Sequence, residues 1–564
     1  YNMSLSSNRF FYTNTNHNDA SNVLINFHNL TGNAELNEHP LSKYARGIFF
    51  SPNYNKEFFD AINWANNLGD YKTQLNLINP FVNNVLMNIG LLNDNVVLSD
   101  QSIISHILQM GSPIDGETAG DQSSGGGQSV SCNVDGTIVA IGAHYNVGIN
   151  GNQSGHVRVY EWNGSIWDQL GDDIDGEAGT NYSGWSVSLS NNGNIVAIGA
   201  YGNNSKGRRS GHVRVYDYVK DRVPKEWEQL GSDIDGNAGG EDFGKSVSLS
   251  ADGTIVAIGG PLYSNFSFMG VVRIYQWNAN NWDQLGDDIY GESNGDWSGW
   301  SVSLSDNGTI VAIGAIYHDG RGHVRVYDYV ETRNPKWELM GSDIDAEDSS
   351  EQYGYSVSLN SDGTIIAIGG QGHNSFTGVV RVFKYVNSEW VQLGSDIIGE
   401  ATDDHSGRSV SLSANGTILA IGALANKGDN NDIDKGQVRI YQYLEGVYAS
   451  DWVQVGYDID GEEAYNHLGS CVSLSKNGSV LHVAAPKYDN NTGRVYTYEL
   501  VKKPITSMAV MGSPIDGEAA GDEFSMNLSC NTDGTIIAIA ARKHDSNKGH
   551  VRIYEWDGNS WQQM

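Results

Sequence analysis

Gly184–Asn237 reads GWSVSLSNNGNIVAIGAYGNNSKGRRSGHVRVYDYVKDRVPKEWEQLGSDIDGN, and the same phrase, loosely spelled, recurs eight times along a chain of 564 residues. The copies begin at Gly111, Gly171, Gly231, Gly286, Gly341, Gly394, Gly456 and Gly512, so the period runs from 53 to 62 residues. Within the quoted copy, residues 185–190 alternate small polar and apolar side chains, the pattern of a strand with two different faces. Asn191-Asn192-Gly193 then turns the chain; Asp135-Gly136 and Asp252-Gly253 stand at the same place elsewhere, and such dipeptides tolerate positive φ. Residues 195–200 (IVAIGA) are almost wholly apolar, as a strand covered on both faces requires. Residues 212–218 (HVRVYDY) form a third strand and residues 227–230 (WEQL) a short fourth.

Four short strands per unit, repeated at this period, predict an all-β propeller of four-stranded blades. No unit can bury its apolar face alone, so the units must pack on one another. The expected arrangement is eight blades over residues 111–564. The alternative is seven blades plus one extra unit, because GSPIDGE, a Cys-Asn pair and Tyr-Glu-Trp recur in the first and last copies. Residues 1–110 carry no repeat. They read as irregular and Asn-rich to about residue 50, then partly helical, with Phe58, Ala61, Ile62, Ala65 and Leu68 at helical spacing and a second stretch after Pro80. This segment is expected to pack on the propeller or to anchor it in an assembly.

Lys plus Arg number 34 against 67 Asp plus Glu, a formal net charge of −33. That field repels phosphate backbones and anionic lipid, which argues against nucleic-acid and membrane-surface roles. No apolar run approaches the length of a bilayer span. Three cysteines are too few for a disulfide framework, and Cys132 and Cys530 fall on equivalent inward strand positions, where free thiols are expected. Asn-x-Ser/Thr sequons include Asn29, Asn152, Asn181, Asn203, Asn265 and Asn490, the glycosylation candidates if the chain is secreted.

Phe243-Gly244-Lys-Ser-Val followed by Ile258-Gly259-Gly260-Pro261 resembles the FG-GAP repeat, the unit of the integrin α-chain propeller head; Tyr353-Gly354, Leu468-Gly469 and Ala484-Ala485-Pro486 echo it. The resemblance spans residues 111–564 and implies an extracellular adhesion or matrix-binding module. Such blades often hold calcium in a DxDxDGxxD loop between the first two strands. Here that place is only Ala251-Asp252-Gly253-Thr254, too few oxygens for the ion. A second acidic cluster lies after the fourth strand, at Asp173, Asp175; Asp233, Asp235; Asp343, Asp345; and Asp458, Asp460. These carboxylates either cradle calcium or form a turn that takes backbone and Arg partners.

The third strand carries an Arg in each copy: Arg158, Arg214, Arg273, Arg325, Arg381, Arg439, Arg494 and Arg552. A Glu follows the acidic turn in seven copies: Glu117, Glu177, Glu292, Glu347, Glu400, Glu462 and Glu518, with Asn237 in the remaining one. The planar guanidinium suits bidentate pairing with a carboxylate, so Arg–Glu clamps between blades are expected. No nucleophile elbow, phosphate loop, HExxH or CxxC occurs, and most polar residues recur at repeat positions. The sequence therefore predicts a non-catalytic surface protein, extracellular or on a particle, that self-assembles or binds protein or glycan partners through a propeller face. The rivals are a glycan-active enzyme, which requires an axial pocket with unique carboxylates and an aromatic platform, and a virion surface protein.

Overall fold

The computed structural model describes residues 2–6, 9–13, 102–121, 129–220, 226–262, 268–334, 336–427, 433–444, 451–504, 524–530, 536–541, 550–556 and 561–564. The expected helices near residues 52–68 and 81–89 lie outside these. At the start of the chain, Asn2–Ser6 pairs antiparallel with Arg9–Thr13, a short hairpin that the irregular composition did not announce.

The repeats fold as predicted into antiparallel four-stranded meanders. In the second copy the strands are Ser186–Leu189, Ile195–Ala200, His212–Val219 and Glu226–Gln229, each hydrogen-bonded to the next. The second strand is buried almost throughout in every ring blade, which is why its sequence lacks alternation. A two-residue piece of each ring turn, Ile-Asp except at Ile289–Tyr290 and Ile397–Ile398, adds a short fifth strand against the start of the third: Ile234 opposes Val213 and Asp235 opposes His212.

Seven copies close a ring. The first strand of each blade donates one backbone N–H to the inward Ser of the blade before it. Leu189 bonds Ser131 Oγ, Leu249 Ser188, Leu304 Ser248, Leu359 Ser303, Leu412 Ser358 and Leu474 Ser411, at 2.9–3.0 Å. Cys132 N then bonds Ser473 Oγ at 3.1 Å and completes the circle. The S-V-S-L signature is thus explained by its second serine, which replaces a missing ladder partner across each blade boundary. Apolar side chains fill the same boundaries. Ile138, Val157 and Val159 pack on Val187, Leu189 and Ile198, and the closing joint sets Cys471, Ala484 and Val495 against Val130, Val139 and Ile141. Fourth-strand tryptophans rivet the rim: Trp227 Nε1 donates to Leu170 O and Trp452 Nε1 to Leu393 O.

The ring corrects the preference for eight blades to the alternative arrangement. Blade seven consists of Val472–Leu474, Val480–Ala485 and Arg494–Pro504, and its outermost strand is Ser102–Gln109, from the segment before the repeats. The propeller therefore begins near residue 102 rather than at 111. Ile104 is buried in the core of this blade with Leu481, Val483 and Tyr496. The eighth copy forms a separate four-stranded sheet, Phe524–Cys530, Ile536–Ala541, His550–Trp556 and Trp561–Gln563, in a second compact unit.

Candidate functional site

Two kinds of polar cluster occur at the acidic-loop end of the ring: a funnel on the axis and a set of charged joints between blades. The funnel arises from one repeat position. The residue just before each S-V-S-L strand is Trp185, Lys245, Trp300, Tyr355, Arg408 and Ser470 in blades two to seven. The first strands converge on the axis, so these side chains gather round its mouth, above a channel lined by the valines and serines of the same strands. Lys245 Nζ lies 3.7 Å from the Trp185 ring centroid, 4.4 Å from Tyr201 and 5.1 Å from Trp300. Arg408 lies over Tyr355 at 4.6 Å, and Trp300 is tilted against Tyr355 at 5.4 Å. Trp297 and Tyr317 continue the aromatic surface outward.

These cations are poorly solvated in a protein of opposite overall charge. Burial pushes the Lys245 ammonium down to about 7, with the Asp242 carboxylate acting against the drop. Burial likewise lowers the Arg408 guanidinium to about 10. Asp242 is itself engaged by the Arg209 guanidinium, which stacks over Tyr201. Beside the channel a second hollow of about 320 Å³ is lined by Arg408, His405, His467, Lys487 and Ser470 among others. Among the described residues, neither lining contains an Asp or Glu.

The joints between blades place the expected clamp residues. Arg158, Arg214 and Arg325 reach back to the preceding acidic turn and donate mainly to its backbone, at Asp115 O, Asp175 O and Tyr290 O (3.1, 2.7 and 2.7 Å). Their glutamates stand further off: Glu117 at 3.8 Å, Glu177 at 4.0 Å and Glu292 at 3.3 Å. Arg381 meets Glu347 at 3.3 Å but also the buried Glu351 and Asp396. Arg273, whose copy has Asn237 in place of the Glu, is fully buried between Glu241 and Asp288.

One expected clamp, Arg439 with Glu400, is not seen, and another, Arg494 with Glu462, forms from a different register. Arg439 donates to Ile398 O, while Glu400 accepts from Gln437 and Asn426. Arg494 occupies a different register from the other arginines. It opposes Ala485 and Asp115, as His212 opposes Ala200 and Asp235, and Tyr496 takes the Arg place. From there Arg494 bridges Asp115 at 2.5 Å and Glu462 at 3.5 Å. Arg552 belongs to the separate sheet, and Glu518 lies outside the described residues.

The acidic turns do not gather into a cradle of their own. Asp173, Asp233 and Asp458 each accept a hydrogen bond from the Gln four residues earlier, and Asp235 takes Ser205 and Lys206. Asp173, Asp233 and Asp343 instead lie beside histidines that open the third strand, His156, His212 and His323. Asp175 and Asp345 fall on the short strand that pairs with those histidines, and Asp460 opposes Gln437. The histidine that opens the third strand in these three copies, and again at His550, was the signal available in the sequence.

Of the sequons, Asn152 and Asn490 are exposed, whereas Asn181 and Asn203 are buried at 2 % and 7 % exposure, which removes them as acceptors on the folded chain. Asn29 and Asn265 lie outside the described residues. Cys132 and Cys471 are free thiols. No helix among the described residues is long and apolar enough to cross a membrane. No protein-family profile matches this chain, and no curated protein matches it.

Proposed function

We propose that this propeller is a binding module, displayed outside a cell or on a particle, that captures an acidic glycan at the axial mouth of its acidic-loop face. One observation carries the reading. A position fixed by the repeat holds Trp, Lys, Trp, Tyr and Arg in five successive blades, where scaffolding alone would keep one residue type. Flat aromatic faces supply area for a sugar ring, and a few placed polar groups orient it, the usual composition of a small-ligand site. A carboxylate or sulfate on the ligand would meet Arg408 in a bidentate geometry and Lys245 as a point charge. The surrounding negative field disfavours nonspecific polyanions, so selectivity rests on reaching the recessed pair.

The glycan-hydrolase rival needs two opposed carboxylates near the bound sugar. The described funnel linings offer cations in their place, which favours capture over cleavage. The FG-GAP resemblance and the exposed Asn152 and Asn490 sequons agree with a surface location. The test is titration of the full chain with matched neutral and uronate- or sulfate-bearing oligosaccharides. Binding confined to the acidic set and lost in Arg408→Gln and Trp300→Ala is expected. Equal affinity for neutral sugars, no binding to either set, or hydrolysis of the bound chain overturns the reading.

A further inference from the structure

Three blade joints repeat one arrangement. Glu117, His156 and Asp173 meet at blade one; Glu177, His212 and Asp233 at blade two; Glu292, His323 and Asp343 at blade four. The Glu comes from the acidic turn entering the blade, the His opens its third strand, and the Asp comes from the turn leaving it. His212 Nδ1 faces both carboxylates, 3.3 Å from Asp233 Oδ2 and 3.8 Å from Glu177 Oε2. His156 Nδ1 does the same, at 3.5 Å from Asp173 and 3.9 Å from Glu117. In each of these two joints one ligand atom from every member lies within 4.8 Å of the others. At blade four that grouping comprises Glu292, His323 and His318, with Asp343 Oδ2 3.9 Å from His323 Nδ1.

Two further observations point to a missing cation. His212 and His323 are almost completely buried, at 0 % and 1 % exposure. Neither nitrogen of His212, nor Nδ1 of His323, has a hydrogen-bond partner. A buried imidazole without partners is costly unless something satisfies it. The second observation comes from blade seven. Its third strand places Arg494 in the His212 register, and the guanidinium bridges Asp115 and Glu462 there. At blades one, two and four the same register presents an imidazole to a like pair of carboxylates, and the guanidinium of Arg158, Arg214 or Arg325 lies beside the Glu at 3.8, 4.0 or 3.3 Å.

We propose that the joints at blades one, two and four bind divalent transition-metal ions of the zinc type. The ligand set is one His nitrogen and two carboxylate oxygens, with water completing the shell; at blade four the His318 ring stacks on His323 at 3.9 Å and covers the site. Such ions take nitrogen and oxygen ligands at about 2.0–2.2 Å in a tetrahedron, whose edges are about 3.3–3.5 Å. The His–Asp separations of 3.3 and 3.5 Å at blades two and one match such edges; the His–Glu separations of 3.8 and 3.9 Å there, and the 3.9 Å between His323 and Asp343, are longer and would close by about 0.4 Å on binding. An imidazole ligand selects this class over calcium, which takes oxygen. Each ion would tie the turn of one blade to the third strand of the next, so metal binding would stabilise the ring.

The test uses the full chain, stripped with chelator and titrated with zinc chloride by calorimetry, alongside cobalt(II) absorption. The expected result is about three ions per chain and visible d–d bands of four-coordinate cobalt. The melting temperature should rise with zinc and not with calcium. His212→Gln should remove one ion, and Glu177→Gln should weaken that site at least 10- to 100-fold while leaving the buried imidazole in place. The second variant guards against misfolding of the first. No zinc uptake, equal response to calcium, or unchanged stoichiometry and affinity in both folded variants overturns the proposal.

Discussion

Replacing Lys245 with Met should make the propeller more stable at pH 6 and much less so, relative to wild type, at pH 10. The ammonium sits among Trp185, Tyr201 and Trp300 and is pushed from 10.5 to about 7. Because its folded value lies below its unfolded value, burial of the charge penalises the native state fully below pH 7. The penalty is relieved as pH climbs from 7 toward 10.5, where the unfolded chain holds the proton and the native chain does not. The interval corresponds to about 5 kcal/mol. The aromatic faces return about 2 kcal/mol through cation–π attraction, which leaves a net cost of about 3 kcal/mol that Met, of similar volume, would remove. Guanidinium denaturation of wild type and Lys245→Met at pH 6 and pH 10 measures this. The variant should gain about 3 kcal/mol at pH 6 and lose most of that advantage at pH 10. A variant less stable at pH 6, or one with the same offset at both values, would refute the claim that a desolvated cation is held at the axis for a ligand.

Arg273→Ala strands Glu241 and Asp288 in a buried joint and should cost about 3–5 kcal/mol. Arg325→Ala loses a carbonyl bond beside a half-exposed Glu292 and should cost only about 1–2 kcal/mol in the same melts. Gly199→Ala places a methyl 2.2 Å from the Gly244 carbonyl of the next blade and should prevent recovery of folded, monodisperse protein. Ile104→Asp buries a charge in the closing blade; limited proteolysis should then cut within residues 102–109 much faster than in wild type.

The meander was legible because its determinants are local. The alternation of residues 185–190, the apolar Ile195–Ala200 and the Asn-Gly and Asp-Gly turns each act within a few residues. Blade count was not legible by counting copies, since a ring closes through a contact between residues about 390 apart. A sign of it was present nonetheless. Gln109-Met110-Gly111 spells the end of a fourth strand, like Gln392-Leu393-Gly394, with no S-V-S-L or IVAIGA phrase before it in the sequence. A lone outer strand must complete some other blade. The axial funnel was hidden by the repeat itself, because Trp185, Lys245, Trp300, Tyr355 and Arg408 look like tolerated variation until the strands converge. Arg494 misled for the same reason: residue type was aligned, but the register of Arg494–Pro504 is set by its pairing with Val480–Ala485.

Closure of the ring by Ser102–Gln109 also has a consequence for synthesis. The partner strand begins at Arg494, about 385 residues later, and ribosomes add about 5–20 residues per second. The strand therefore waits about 20–80 seconds with Ile103, Ile104 and Ile107 uncovered while six blades emerge. During that interval it is an open apolar edge, able to pair with any other nascent copy. The last blade to be translated is the one that ends this exposure, so yield in the cell should depend on chaperone capacity more than the stability of the finished ring would suggest.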